Sequence, residues 1–194
     1  MLILCEPRPT PFIFWFQVSL GGMLLALNKG DKDEFLKLLG KARQDIMGPL
    51  SAASMESYQR AYPFLTKLHM LRELEQSMPL FHLSEKVKTE KEKGTVREDT
   101  SEDIQKDWSI RLKMTQPSFR TREPILNLRR AVFELHAMHE GMASSWLHIA
   151  KTARAANQFQ TAETAIMRAR LESFSSVSSL PPPSLLVGLQ KLLY

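Results

Sequence analysis

The chain has 194 residues, of which 43% are hydrophobic and 24% are charged. This length suits one domain or a few units of a repeat array, and the composition excludes a globally disordered chain. The formal net charge of +5 allows contact with acidic partners but does not require nucleic acid, because folded proteins often carry such a surplus on solvated surface. The single cysteine, Cys5, excludes an internal disulfide and a thiolate metal cluster, which favours a reducing compartment.

Residues 1–16 are apolar yet do not predict a targeting segment. Glu6 and Arg8 interrupt the apolar run, and the prolines around them would break a helix. The apolar segment 11–20 is shorter than the roughly 20 residues that a membrane span needs. We therefore expect an irregular N-terminus over residues 1–16, without a secretory signal or an anchor.

Residues 17–83 show the apolar spacing of helices and are predicted to form helical repeats. The first helix is expected to end at Gly30, since glycine favours the left-handed turn that follows a helix. Asp31 and Glu34 have the spacing of a capping box at the start of the second helix. Gly48-Pro49 is predicted to end that helix.

A third helix is predicted from a serine cap, Ser51 or Ser54, to about Met78. Pro63 lies inside this helix and should kink or split it, because proline removes one backbone N–H. The apolar spacing predicts its buried side as Tyr58, Tyr62, Leu65, Leu68, His69 and Leu71.

Residues 84–103 change character and are predicted to form a mobile charged loop. Between Glu85 and Asp103 the segment carries five basic and seven acidic side chains. Such a segment cannot bury enough apolar surface to offset its chain entropy. The alternation of lysine and glutamate leaves an exposed helix as the alternative.

Helical repeats are predicted to resume over residues 104–171, first at 104–114 and then at 123–136, where Pro124 suits a first helical turn. Residues 172–194 are rich in serine and proline and are expected to form an irregular tail. Because no segment shows a convincing alternation of apolar and polar residues, a β-sheet is not expected. The predicted fold is all-α, made of antiparallel helical hairpins.

The stretch from Ser145 to Ala169 places small side chains at regular intervals. Two helices approach closely only where the facing side chains are small, and the tetratricopeptide pattern encodes this with an aromatic residue followed by small ones at fixed offsets. Asn157-Gln158 falls where the turn of such a unit belongs, whereas Phe174 replaces its closing proline. A plain helical hairpin is the alternative. The predicted packing positions are Trp146, Ile149, Ala150, Ala153, Ala162, Ile166 and Ala169.

The repeat interpretation has a consequence for the whole chain. About three units are needed for a stable stack, so we expect a slice of a longer α-solenoid. On this interpretation Ala162, Ile166 and Ala169 face a next helix.

The sequence predicts no catalytic, cofactor or metal site. His136 and His139 are three positions apart, but surface histidines are a commoner explanation than metal ligands. His69 and His148 lie near apolar faces and are expected to be partly buried structural residues. Gly21-Gly22 lacks the spacing of a phosphate-binding loop, and no kinase catalytic-loop signature occurs.

Much of the basic surplus falls in one region, which could contact phosphate groups with Trp108 and Phe119 as stacking residues. A solvated helix face is the favoured interpretation, since no nucleic-acid-binding motif accompanies these residues. They are Arg111, Lys113, Arg120, Arg122, Arg129 and Arg130.

Several ordered runs of residues are more specific than the repeat pattern. From roughly Leu20 to Ala169 the chain closely resembles the FAT region of the phosphatidylinositol-3-kinase-related protein kinases that act in checkpoint signalling. The alanine-rich stretch from Ser145 to Ala169 resembles the next part of that region, with Trp146 and the QTA run at Gln160 to Ala162. The most specific runs are PLSAAS (49–54), SYQR (57–60), LHML (68–71), RLKMTQ (111–116) and REPILNLRRA (122–131).

The resemblance implies a tetratricopeptide-like α-solenoid that clasps a serine/threonine kinase domain in a nuclear protein. It implies contacts with the rest of the solenoid, with the kinase domain and with a subunit that recruits the kinase to coated single-stranded DNA. Neither direct nucleic-acid binding nor a membrane is implied. The cofactors ATP and Mg²⁺ are implied for the kinase domain alone, and no catalytic residue of the family falls on a position of this chain.

Three departures from the family remain: Pro63 and the two chain ends, which do not match its pattern. We therefore expect a truncated fragment with ends of different origin. A free-standing helical-repeat adaptor is the main alternative, and a nucleic-acid-binding module that uses residues 111–130 is the second. An independent enzyme is the least supported class, because no active-site constellation is present.

Overall fold

The structure, a computed structural model, describes residues 11–81 and 94–175. These ranges contain seven long helices and no strand, which confirms the all-α prediction. Residues 78–81 are also helical. The long helices are α1 (Pro11–Lys29), α2 (Lys32–Glu56), α3 (Tyr58–Gln76), α4 (Gly94–Met114), α5 (Phe119–Leu135), α6 (His139–Ala155) and α7 (Phe159–Ser175).

The helices pack mainly on their neighbours in sequence, as in a helical-repeat protein. Helix α2 packs on α1 and α3, and α6 packs on α5 and α7. Helix α3 also packs on α5, which joins the two groups of helices. One apolar cluster extends from Phe16 in α1 to Ala169 in α7, with Trp108 of α4 among its largest members. The architecture is that of an α-solenoid.

Helix α1 begins at Pro11, earlier than the predicted start near Gln17. Proline is tolerated at the first helical position, where its missing N–H would have no partner. The helix ends as predicted, because Gly30 has a φ of 77° and follows the last helical residue. Asp31 then caps α2, and its Oδ1 accepts a hydrogen bond from the backbone N–H of Glu34 at 3.0 Å.

The prediction that Gly48-Pro49 ends the second helix is wrong. Helix α2 continues to Glu56 with Pro49 inside it, and its packed face includes Ile46 before the proline and Leu50 after it. Burial of this face outweighs the single backbone hydrogen bond that proline removes.

Ser57 caps α3, in place of the predicted Ser51 or Ser54. Its side chain accepts a hydrogen bond from the backbone N–H of Arg60 at 3.2 Å. Pro63 lies inside α3 without splitting it, which corrects the second proline prediction. The predicted buried face of this helix is partly wrong, since Tyr58 is 66% exposed whereas Leu71 is fully buried.

The second group of helices also begins earlier than predicted. Helix α4 starts at Gly94, so residues 94–103 are helical, as in the exposed-helix alternative, while residues 84–93 lie outside the described ranges. Once a helix is nucleated by a buried residue such as Trp108, adding further turns is easy even for polar sequence. Helix α5 starts at Phe119 because Ser118 caps it, which places Pro124 inside the helix.

Three helices end in the same hydrogen-bonded turn, a Schellman motif with a left-handed residue. The left-handed residues are Gly30, Ala137 (φ 52°) and Asn157 (φ 59°). After each of them, the next N–H donates to a carbonyl five residues back at 2.9–3.0 Å. The turn at Asn157-Gln158 therefore lies where the repeat pattern predicted it.

Candidate functional site

Small side chains are buried in the hairpin of α6 and α7. Ala150, Ala153 and Ala169 are fully buried, and Ala162 is 2% exposed. Because alanine side chains are small, the two helix backbones can approach closely where these residues lie. Ile149 and Ile166 are also buried. Whether the hairpin is a tetratricopeptide unit stays a prediction.

Trp146 lies at the edge of this hairpin and connects it to α5. It is partly buried against the core, and the guanidinium carbon of Arg130 is 3.6 Å from its ring centroid. A cation over an indole face at this distance is attractive. Arg130 is therefore engaged in packing and does not form the solvated face that the sequence predicted for it.

The outer face of α7 differs from the expectation. Ala162, Ile166 and Ala169 were predicted to face a next helix, yet they are buried on the helix that packs against α6. The exposed apolar side chains of α7 are Phe159, Met167 and Leu171.

A buried ion pair joins α3 to α5. Glu73 and Arg129 are 1% and 5% exposed. The guanidinium of Arg129 donates two hydrogen bonds to the Glu73 carboxylate, from Nε to Oε2 at 2.7 Å and from Nη2 to Oε1 at 2.5 Å. Arg129 Nη2 also donates to the Trp108 carbonyl at 2.7 Å, and the Nε2 of His69 lies 2.9 Å from Glu73 Oε1. A bidentate pair of this kind fixes the relative position of three helices.

Sequence reasoning missed this pair, although it left a signal. Glu73 stands between the buried residues Leu71 and Leu74, and Arg129 stands between Ile125 and Val132 on an apolar stripe. Two charges of opposite sign, each on an apolar stripe, indicate a buried pair. Arg129 was instead assigned to a solvated face, which is wrong.

One of the two stacking residues proposed for the nucleic-acid alternative is buried. Trp108 is 2% exposed, so no base can stack on it. Arg122 is engaged as well, donating from Nη2 to the Thr115 carbonyl at 3.0 Å. The geometry therefore leaves fewer basic side chains for phosphate contacts than the sequence suggested.

The histidines have structural surroundings. His136 is buried with its ring centroid 4.1 Å from that of Phe81, so it is not the surface residue that was expected. His139 Nδ1 lies 3.0 Å from Glu172 Oε2. His69 is partly buried as predicted, whereas His148 is exposed. No cluster of metal-ligating side chains is found in residues 11–81 and 94–175.

The N-terminal half of α3 lines two adjoining cavities, which together we name the α3 groove. The larger, about 740 Å³, lies between α3, α1 and α5; the smaller, about 260 Å³, lies between α3 and the end of α4. Tyr62 and Thr66 line both cavities. The Tyr62 hydroxyl accepts a hydrogen bond from the Gln116 N–H at 2.7 Å, which ties α3 to the turn between α4 and α5.

Charged and apolar side chains meet in this groove. In the larger cavity, Lys67 Nζ lies 5.4 Å from the ring centroid of Phe16 and 5.4 Å from that of Phe64, and burial lowers the pKa of Lys67. In the smaller cavity, Arg111 lines the wall beside Met114. These side chains suit contact with another protein better than they suit chemistry on a small molecule.

The family model of the FAT domain matches residues 16–194. The chain belongs to the FAT domain family. The matched range includes residues 172–194, so the expectation that this end of the chain departs from the family is wrong. The seven long helices of residues 11–81 and 94–175 thus belong to a non-catalytic helical region.

Relatives of this FAT chain carry the name serine/threonine-protein kinase ATR. The protein from Oryza sativa subsp. japonica is 37% identical over 79% of this chain, and that from Arabidopsis thaliana is 36% identical over 84%. The protein from Drosophila melanogaster is 30% identical over 79%. In each case the match covers 6% of the relative, so the chain spans a small part of the proteins it resembles. No solved structure matches it significantly.

The described helices of this FAT chain give no sign of a membrane span. None of those in residues 11–81 and 94–175 combines the length and apolar character needed to cross a bilayer.

Proposed function

We propose that this FAT chain is a non-catalytic helical scaffold segment of a serine/threonine-protein kinase of the ATR type, acting in nuclear DNA-damage and replication-stress signalling. The observation that carries the proposal is the match of the FAT domain model to residues 16–194. The part of the chain that the structure describes is a stack of packed helices, which agrees with this match. Such a segment positions other parts of the kinase through protein contacts.

The chemistry of the described residues supports a scaffold. Some of their buried polar groups form structural pairs, such as Glu73 with Arg129, and no group of the described residues presents a nucleophile, a base and an anion site together. We propose that ATP and Mg²⁺ act in the kinase domain of the parent protein and that this chain holds neither. Its partners are then the adjoining solenoid, the kinase domain and a recruiting subunit.

A chimera tests the proposal. Residues 16–194 replace the corresponding region of the Oryza sativa relative, and phosphate transfer from ATP to a serine-containing peptide is measured. We expect the chimera to keep most of the activity, and the same chimera with Ala150→Trp, which overfills the hairpin, to lose it. A well-folded but inactive chimera would contradict the scaffold role, and phosphate transfer by the purified chain alone would contradict the non-catalytic assignment.

The alternative is a free-standing helical-repeat adaptor, and the α3 groove favours it because a groove of this size can hold a peptide segment. The two proposals differ in the behaviour of the isolated chain. A scaffold segment exposes faces that its parent covers, such as Phe159, Met167 and Leu171 on α7, and should associate in solution. A folded monomer at high concentration in sedimentation experiments would favour the adaptor.

A further inference from the structure

The smaller cavity of the α3 groove holds a cation with an unmet hydrogen bond. The Nε of Arg111 is buried, and among the residues that the structure describes it has no hydrogen-bond partner. Burying an N–H donor without an acceptor is unfavourable. Because the Arg111 side chain lines the cavity, a carboxylate entering it would place a compensating charge beside this guanidinium.

The rim of this cavity is apolar and accessible. Tyr58 is 66% exposed and Met114 is 80% exposed, and the ring of Tyr58 lies 5.6 Å from that of Tyr62 between their centroids. Tyrosine, methionine and arginine are among the residue types enriched in protein interfaces. Large apolar side chains at the mouth of a cavity would become buried when a partner segment covers them.

The charge of the groove continues in the larger cavity. Lys67 and Arg120 line it, with Glu123 as its acidic residue. Together with Arg111, the groove therefore has an excess of positive charge on a lining of apolar and neutral polar side chains. An occupant with both carboxylates and apolar side chains complements this pattern, whereas a phosphate backbone would leave the apolar part of the lining and the exposed rim uncovered.

We propose that the α3 groove binds an acidic, amphipathic segment of a partner protein, with a partner carboxylate accepting hydrogen bonds from Arg111. The inference rests on the proposed scaffold role and adds the chemistry of one partner segment. Tyr58 and Met114 contact the apolar side of that segment, and Lys67 and Arg120 lie along its acidic side. Tyr62, held by Gln116, separates the two cavities and keeps the groove in shape.

Methyl NMR of the full chain with labelled methionine tests the proposal. The probe is a synthetic helical peptide of leucine and glutamate with one tryptophan, and its matched control has glutamine at every glutamate. We expect the glutamate peptide to shift the methyl signals of Met114 and Met70, which line the groove. The signal of Met47, exposed on α2, should not move.

Variants locate the site. Arg111→Gln should weaken binding of the glutamate peptide by about tenfold, the scale of one lost charge-assisted contact. Tyr58→Ala should also weaken it, and this exposed side chain can be removed without disturbing the core. Arg170→Gln, an equal change of charge on an exposed position of α7, should bind as the unmodified chain does.

Three results would overturn the proposal. The first is equal binding of the glutamate and glutamine peptides, and the second is unchanged binding by Arg111→Gln. The third is a shift of Met114 by a single-stranded thymidine oligonucleotide that competes with the peptide, which would assign the groove to phosphate. An active kinase chimera with a failed peptide titration would reject the groove alone, and an inactive chimera with a working titration would reject the scaffold role alone.

Discussion

At the scale of single residues, the three left-handed turn positions differ in how well their side chains tolerate a positive φ. Glycine adopts this conformation freely and asparagine tolerates it, but alanine is strained by its Cβ. Ala137, with a φ of 52°, is the strained member of the set, and it is exposed. Helix α5 therefore ends in the same left-handed turn as the other two helices, but with a residue that disfavours this conformation.

Ala137→Gly should raise the free energy of unfolding by about 0.5–1 kcal/mol, because relief of strain exceeds the added entropy of the unfolded chain. Urea unfolding followed by circular dichroism measures the change. Ala52→Gly, an exposed site inside α2, is the matched control and should lower stability by about 0.5–1 kcal/mol. Equal losses at both sites would show that the turn is not left-handed.

At Gly141, the neighbouring ring of Phe133 limits the size of the side chain. A Cβ built on it would lie 2.9 Å from Cγ and Cδ1 of Phe133, whose ring is buried and lies 5.5 Å from that of Trp108 between centroids. Gly141→Ala should lower the free energy of unfolding by about 1–2 kcal/mol, since the ring has little room to move.

The matched control for Gly141 is Gly40, inside α2, where an added Cβ would meet no atom within 4 Å. Gly40→Ala should raise stability by about 0.5–1 kcal/mol through helix propensity alone. Thermal unfolding of the two variants compares them directly, and a stabilising Gly141→Ala would mean that Phe133 has a second accessible position.

At the scale of helices, an ion pair ties α2 to α3. Arg43 Nη2 lies 2.9 Å from Glu75 Oε2, and Arg72 Nη1 lies 2.6 Å from the same oxygen. The hydrogen bond from Arg43 is the main reason why the pKa of Glu75 falls below its ordinary value of 4.5. A carboxylate with a lowered pKa in the folded state stabilises that state above its ordinary pKa, and this contribution is lost as the pH falls through the folded pKa.

Glu75→Gln should therefore lower the free energy of unfolding at pH 7 by about 0.5–1 kcal/mol, in the range of partly exposed pairs. The difference from the unmodified chain should shrink below pH 4.5 and vanish once the carboxyl is protonated in the folded state. Urea titrations between pH 7 and pH 3 provide the measurement. Glu163→Gln, an exposed site on α7, is the control, and a parallel pH dependence in both variants would contradict the pairing.

The helix ends show what could be predicted from local sequence. Gly30, Asp31 and Asn157 were predicted correctly because the preference of each residue acts within one turn of chain. The predicted effects of Pro49 and Pro63 on their helices were wrong. Each proline removes one backbone hydrogen bond, whereas the packing of a long apolar face contributes more to the stability of the helix. That packing depends on helices that are distant in sequence.

At the scale of the whole molecule, Glu73 and Arg129 connect the two groups of helices. Arg129→Met should lower the free energy of unfolding by about 3–5 kcal/mol, because it leaves the Glu73 carboxylate buried without its guanidinium partner. The double variant Glu73→Leu with Arg129→Met should recover most of this loss. Chemical unfolding of both single variants and the double variant completes the cycle.

The control for this cycle is Arg170→Met on the exposed side of α7, which should change stability by less than about 0.5 kcal/mol. Additive losses in the double variant would show that the two side chains do not interact.

The candidate site was less predictable than the fold. The alanine spacing predicted the α6–α7 interface, because facing small residues are visible in one continuous segment. The α3 groove was not predicted, because it assembles residues of α1, α3, α4 and α5, and periodicity carries no information on which helices become neighbours. In the sequence, Arg111 is one of six basic residues in the same region. The burial of its Nε atom is visible only in the structure.

The Glu73–Arg129 pair also bears on the order of folding. Its partners are 56 positions apart, whereas the other helix contacts mostly join neighbours in sequence. Contacts between neighbours close short loops and form early, and contacts between distant residues bear a larger entropy cost and form late. We expect the hairpins to form first and the pair to close last, so that its loss speeds unfolding far more than it slows folding.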